Sequence, residues 1–298
     1  MTVCIAALAD NGGSLVLAAD RMVSTQTIEF EHPSSRKLTP LANTCAALTA
    51  GDALAHRELL VAVRTALDSL KSPTVEQIVS NTKAAYQHTR QQRIVEKILA
   101  PRAIGSFAEF YNLQTSLPDG IAYVIQTQIE SYDFNLSILI GGMGHSRGHI
   151  YVIDNPGTSA CWDSIGFVAI GSGQYLAMHQ LIGSECHDGL ELAEVLVHVF
   201  DAKEAATRAP GVGKMGDIAI ITNECTYAIP DKKWSELEAV SRKRQDKQTD
   251  WLQASRDFIR SLQKERITLL REQFEQQYPI EDQPNDPSCE NKNDGDSA

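Results

Sequence analysis

Short apolar runs at the start of the chain give way to longer segments with helical spacing, and the alternation then repeats. Residues 2–9 and 14–20 are two apolar runs separated by Asp10-Asn11-Gly12-Gly13. An Asn-Gly between apolar runs is a strong hairpin signal, because both residues tolerate the positive φ that tight turns need. Folding about 10–13 pairs positions whose numbers sum to about 23, so Thr2 should lie opposite Arg21 and beside Asp20. Both faces of these strands are apolar, which predicts a sheet covered on both sides.

Residues 37–52, "KLTPLANTCAALTAGD", predict one further strand ending at Gly51. In 53–70, Leu54, Leu59, Val63, Leu67 and Leu70 share one helical face. A second helix over 74–99 opens with Thr74 and Gln77 spaced as a capping box. Residues 100–132 are less regular and predict an insertion or helical detour. Strand patterns return at 134–142, 149–154 and 165–173. Helices at 174–183 and 189–207 follow, then a strand at 217–222. This order predicts two packed sheets with helical layers outside.

The composition changes near Pro230. In 232–278, Trp251, Phe258, Leu262, Leu269 and Phe274 recur at roughly helical spacing among Lys, Arg, Glu and Gln. A long amphipathic helix or helix pair is expected, docked on its own domain or on an identical subunit. Residues 279–298 are acidic and almost without apolar side chains, which predicts a disordered tail. The resulting division is a domain over 2–228 with an insertion at 74–132, a helical extension over 229–278, and the tail.

Charge narrows the function classes. The formal net charge of −11 argues against a general nucleic-acid or anionic-membrane binder. No apolar run reaches the ~20 residues a membrane helix needs. The start lacks the basic region of a signal peptide, so a cytoplasmic location is expected. The six cysteines are scattered, and Cys4, Cys45 and Cys161 sit in strand-like apolar surroundings expected to hold packed thiols.

Several motifs fail on inspection. Gly171-Ser172-Gly173 follows a strand and opens a helix, but Leu176 occupies the third glycine position of a dinucleotide fingerprint. Gly211-Val212-Gly213-Lys214 lacks the first glycine and the hydroxyl residue of a phosphate loop. His145 and His149 lie in a Gly-rich turn without the Glu of a zinc helix. No cofactor or metal is expected.

Thr2 is the stronger candidate. Removal of Met1, expected before so small a residue, would give one residue both a nucleophilic Oγ and a basic α-amine. A free α-amine has a pKa of about 8, suited to a base near neutral pH. The hairpin brings Asp20 and Arg21 beside it. A lysine such as Lys37 near the hydroxyl would ease its ionisation, and Asp20 would hold that lysine charged. Gly51, closing a strand at a turn, could offer its N–H to an oxyanion.

Taken together these residues resemble the proteasome β-subunit superfamily of N-terminal-nucleophile hydrolases. The resemblance rests on Thr2, "LVLAADRMVST", "SSRKL", "LTAGDALAHRELL", "FVAIGSGQYLA" and "DIAIIT", in family order over roughly 2–222. It implies a four-layer αββα sandwich, a self-assembling ring, and a threonine hydrolase that cleaves peptide bonds. In that reading Thr2 is nucleophile and base, Asp20 and Lys37 tune it, Gly51 forms the oxyanion hole, and Ser172 bonds near the α-amine. Arg21, Gly171 and Gly173 support the set. The partners implied are a peptide or protein substrate and copies of the chain, with any ATPase unfoldase unidentified. Family members often carry an Asp and a Ser in the loop before the last strand, where this chain has Ala209 and Val212 in "RAPGVGKMG". The alternatives are a non-catalytic shell or scaffold subunit, and a peptide ligase or transpeptidase on the same fold.

Overall fold

The computed structural model describes residues 2–24, 28–246 and 250–277. The opening hairpin forms as the turn chemistry requires. Strands β1 (Cys4–Ala9) and β2 (Ser14–Asp20) flank a single 3-10 turn. Asp10, Asn11 and Gly12 take φ of 53°, 56° and 85°, values that suit Asn and Gly better than branched residues. Cys4 pairs with Ala19 and Ala9 with Ser14, so the paired numbers sum to 23.

After a small ribbon of β3 (Met22–Ser24) and β4 (Glu29–Glu31), the expected single strand over 37–52 is two. β5 (Leu38–Ala42) and β6 (Cys45–Gly51) form a hairpin about Asn43-Thr44. The run of apolar residues on both sides of Asn43 hid this turn. Pro40 is tolerated because β5 is an edge strand, where a missing N–H breaks no interior ladder.

Helix α1 (Ala53–Leu67) follows, then α2 (Val75–Ile94), whose Thr74–Gln77 capping box is formed in both directions. The segment 100–132 is helical, with α3 (Phe107–Leu113) and α4 (Asp119–Glu130). It has a core of its own, in which Phe110, Ile125 and Ile129 pack on Ile94, Ile98 and Leu99. Strands β7 (Leu136–Met143), β8 (Gly148–Asp154), β9 (Thr158–Cys161) and β10 (Phe167–Ile170) come next. Helices α5 (Gln174–Gly183) and α6 (Leu192–Ala206) precede β11 (Gly216–Thr222) and β12 (Thr226–Ala228).

The fold is mixed α/β, and every strand pairing is antiparallel. One five-stranded sheet has the order β10-β1-β2-β11-β12 and the other β5-β6-β7-β8-β9. A continuous apolar cluster joins them, with Cys4, Leu8, Leu15 and Leu17 of the first sheet against Leu48, Leu139, Ile150 and Val152 of the second. The far side of the second sheet packs on α1 and α2 through Leu59, Val63, Ile78 and Tyr86. Helix α6 packs on β1 and β2. These two strands are therefore buried on both faces, which accounts for their unbroken apolar runs.

The region after Pro230 is a helix pair, α7 (Trp234–Gln245) and α8 (Trp251–Gln277). Trp234 meets Phe200 of α6 with ring centroids 5.4 Å apart, and Arg244 pairs with the buried Asp201 at 2.6 Å. Residues up to Arg256 form one compact unit, and a second begins at Asp257 with the remainder of α8. The expected disordered tail over 279–298 lies outside the described residues, as do Phe274's side chain and Cys289. Cys4 and Cys45 are buried as expected, but Cys161 is exposed, because β9 is the other edge of its sheet. Among the described residues no helix is long and apolar enough to cross a membrane.

Candidate active site

Thr2 precedes β1, and the hairpin register carries it to the end of β2, where Asp20 is fully buried. Four donors converge on that carboxylate. Val3 N–H and Lys37 Nζ donate to Oδ1 at 2.9 and 2.7 Å, and the Met22 and Gly213 N–H groups each donate to Oδ2 at 3.0 Å. A carboxylate taken out of water needs this degree of satisfaction. Lys37 Nζ also donates to Thr2 Oγ1, so one ammonium bridges the buried acid and the hydroxyl.

The other side of Thr2 is held by the turn after β10. Thr2 N–H donates to Ser172 Oγ at 3.0 Å, and Gly173 N–H donates to the Thr2 carbonyl at 3.1 Å. Gly171 has φ of 90°, and a Cβ there would stand 2.4 Å from the Thr2 oxygen. Glycine is what lets the two backbones meet. Gly51, with φ of 119°, ends β6 and lines the same cleft as Thr2, where a Cβ would run into the Asn135 carbonyl at 2.1 Å.

Arg21 is placed differently from its neighbours. Its guanidinium is 2% exposed and bonds Asp217 at 2.7 Å and Asp231 at 2.6 and 3.1 Å. It ties the end of β2 to β11 and to the segment before α7, and none of these bonds reaches Thr2. The structure therefore brings Thr2, Asp20, Lys37 and Ser172 into one hydrogen-bonded chain, with Gly171 and Gly173 as its backbone frame.

The cleft in front of Thr2 has a volume of about 590 Å³. One wall is a face of α1 carrying His56, Arg57, Leu60, Val61 and Arg64. Sequence reading missed these residues. The signal was present: their i, i+1, i+4, i+5, i+8 spacing is complementary to the buried stripe of Leu59, Val63 and Leu67. Burial, and secondarily the nearby Lys37 charge, lower the His56 pKa from its ordinary value, so its imidazole is neutral at pH 7. Thr49 Oγ1, also in the cleft wall, is buried without a hydrogen-bond partner among the described residues. Behind the site, burial pushes the Cys4 thiol far above the usual thiol range, leaving it an inert packing group.

The loop containing Ala209 and Val212 contributes backbone where a polar side chain was anticipated from the resemblance. Gly213 N–H reaches Asp20, and Met215 C=O accepts from Arg21 N–H at 3.0 Å. Val212 is buried against Gly173.

Chemically, the arrangement offers a hydroxyl fixed by an ammonium, a nitrogen on the same residue within reach of a second hydroxyl, and an open cleft beyond. That is the inventory of a nucleophilic catalyst. Neither a scan against models of protein families nor a search of curated proteins returned a significant match for this chain.

Proposed function

We propose that the chain is a proteasome-like threonine hydrolase of four-layer αββα architecture, cleaving peptide bonds with Thr2 after Met1 is removed. The observation that carries this reading is the single Lys37 ammonium bonded at once to Thr2 Oγ1 and to buried Asp20. Such a bridge stabilises negative charge on Oγ as it forms, and the buried acid holds the lysine in place against the hydroxyl.

With Met1 gone, the Thr2 α-amine acts as the base. It takes the Oγ proton while Oγ attacks the substrate carbonyl, and Gly51, in the lining of the same cleft, is assigned to donate its N–H to the developing oxyanion. The same amine, now protonated, gives its proton to the departing peptide nitrogen, leaving an ester on Thr2. Water, deprotonated by the amine, then attacks the ester and frees the enzyme. Ser172 Oγ orients the amine throughout. An amine attacking the ester in place of water at that last step would form a new amide and give a peptide ligase or transpeptidase on the same site.

Assembly into a ring or other homo-oligomer belongs to the same proposal. The Ala209 and Val212 positions favour the second reading, a shell subunit that keeps the fold without the chemistry.

Intact mass and N-terminal labelling decide first. A retained Met1 leaves Thr2 nitrogen an amide with no basic lone pair and ends the mechanism. With Thr2 free, a small uncharged threonine-directed electrophile should add once to the wild type and not to Thr2→Ala. No adduct on the wild type would favour the shell reading.

A further inference from the structure

The acidic chain has a cationic cleft. Arg36, Lys37, Arg57 and Arg64 all line the space in front of Thr2, and among the described residues lining it none is Asp or Glu. Lys37 is neutralised by Asp20 at 2.7 Å, and Arg36 lies 3.8 Å from Asp217, which is already held by Arg21. Arg57 and Arg64 are exposed, and neither has a hydrogen bond or ion pair with a described residue. His56, in the same lining, is neutral at pH 7, so the cationic character of the wall is that of the arginines. In a molecule of formal charge −11, two uncompensated guanidinium groups on the wall of one cleft are a concentrated exception.

We infer that this cleft selects acidic peptides, reading Asp or Glu side chains near the scissile bond through Arg57 and Arg64. The inference rests on the proposed hydrolase reading for its chemistry, but binding alone tests it. Seven residues apart on α1, the two arginines are separated by about 10 Å along the axis, close to one turn of a polyproline II peptide, about 9 Å, in which side chains three residues apart return to the same face. A peptide lying along α1 would therefore meet one cation near Thr2 and a second further along. Leu60 and Val61 between them offer apolar contact for the intervening side chain. Arginine suits the task because its planar fork takes both oxygens of a carboxylate. The mixed apolar and cationic wall favours a peptide over a nucleic-acid strand, which would want a Phe, Tyr or Trp platform, and the described lining residues include none of these.

The test uses full-length Thr2→Ala protein, so that binding is measured without turnover. A fluorescein-labelled hexapeptide carrying two Glu three residues apart is compared with the same peptide carrying Gln. Fluorescence anisotropy should give roughly tenfold tighter binding for the acidic peptide at low salt, a gap that narrows as ionic strength rises. The Arg57→Gln, Arg64→Gln double variant should bind both peptides alike while keeping its Tm, since both side chains are exposed. Equal binding of the two peptides to Thr2→Ala overturns the inference, as does an acidic preference that survives the double substitution. Displacement of the acidic peptide by a single-stranded oligonucleotide at lower concentration than by unlabelled peptide also overturns it. Failure of the electrophile to label wild-type Thr2 would defeat the hydrolase reading and leave this binding result standing on its own.

Discussion

Asp20→Asn is the substitution that probes the site most directly. It keeps shape and removes charge. Each carboxylate oxygen accepts two hydrogen bonds, Oδ1 from Val3 N–H and Lys37, and Oδ2 from the Met22 and Gly213 N–H groups. An amide must put its NH2 in one of these places, and in either orientation it faces two donors. Leaving a buried donor unsatisfied costs about 1–3 kcal/mol, so two of them cost roughly 2–6 kcal/mol. Breaking a buried ion pair by removing one partner gives an independent figure of about 3–5 kcal/mol. Lys37 is 12% exposed and recovers part of its solvation, which places the expected loss near 3 kcal/mol. The amide is predicted to turn its NH2 toward Met22 and Gly213 only if Lys37 retains the oxygen. Lys37 then still touches Thr2, but without a compensating charge beneath it.

Two measurements follow on the same protein. Urea unfolding at pH 7 should show a lower midpoint with an unchanged m-value, the signature of a native-state loss. Labelling of Thr2 by the small electrophile should slow by at least about tenfold, because the ammonium no longer has its anchor. A stability loss under about 1 kcal/mol would refute the four-donor account of Asp20. Wild-type labelling by a folded variant would remove the Asp20–Lys37 pair from the proposed chemistry.

Ser172→Ala leaves an exposed position, so stability should move by less than about 0.5 kcal/mol while peptide turnover falls by roughly tenfold or more; unchanged turnover would show that the amine needs no such partner. Gly171→Ala places a Cβ at 2.4 Å from the Thr2 carbonyl at a φ of 90°, and should lower both Tm and Thr2 labelling, whereas a labelled, fully stable variant would contradict the close approach. His198 is buried, and its pKa is lowered to about 4 by burial first, then by the Arg244 and His187 charges. Its folded pKa lies below the unfolded one, so the unfolded chain binds the extra proton and stability falls as pH drops from about 6.5 to 4, by about 3 kcal/mol in total. His198→Leu should flatten that part of the urea-midpoint profile, and an unchanged slope would assign the acid sensitivity elsewhere. Alkylation of the native protein should reach exposed Cys161 well before buried Cys4 and Cys45, as peptide mass mapping would reveal; the Cys45 thiol is further disfavoured by burial that pushes it up to about 12.

How much of this was legible in the sequence depended on whether a local rule had a competitor. The Asp10–Gly13 turn had none, so the register that sets Thr2 beside Asp20 could be counted residue by residue. The Thr74–Gln77 box fixed the start of α2 for the same reason. At Asn43-Thr44 the flanking residues are apolar on both sides, and period-2 alternation is lost in β6, which is buried almost throughout. β9 and β12 are edge strands of three or four residues, too short for any pattern to stand out. The destination of Arg21 was hidden because its partners, Asp217 and Asp231, lie about two hundred residues away in the chain. Charge at a strand end announced that something was held there, but only packing said what.

The loop over 207–215 sharpens this point. Side-chain reasoning finds it empty, since Ala209 and Val212 offer no polar atom. Yet its backbone is engaged at three successive residues beside the site. Gly213 N–H supports Asp20, Lys214 C=O accepts from the buried Lys203 ammonium, and Met215 bonds Glu31 through its N–H and Arg21 through its carbonyl. Backbone groups cannot be changed by substitution without moving the chain, so a site built on them tolerates Ala and Val at the neighbouring positions. The consequence falls on Thr2. Among the described residues Ser172 Oγ is the one side-chain partner of its nitrogen. The proposed mechanism therefore works with a shorter polar network than the resemblance implies, in which the Asp20–Lys37 bridge, rather than a surrounding ring of hydroxyls, holds the Thr2 hydroxyl.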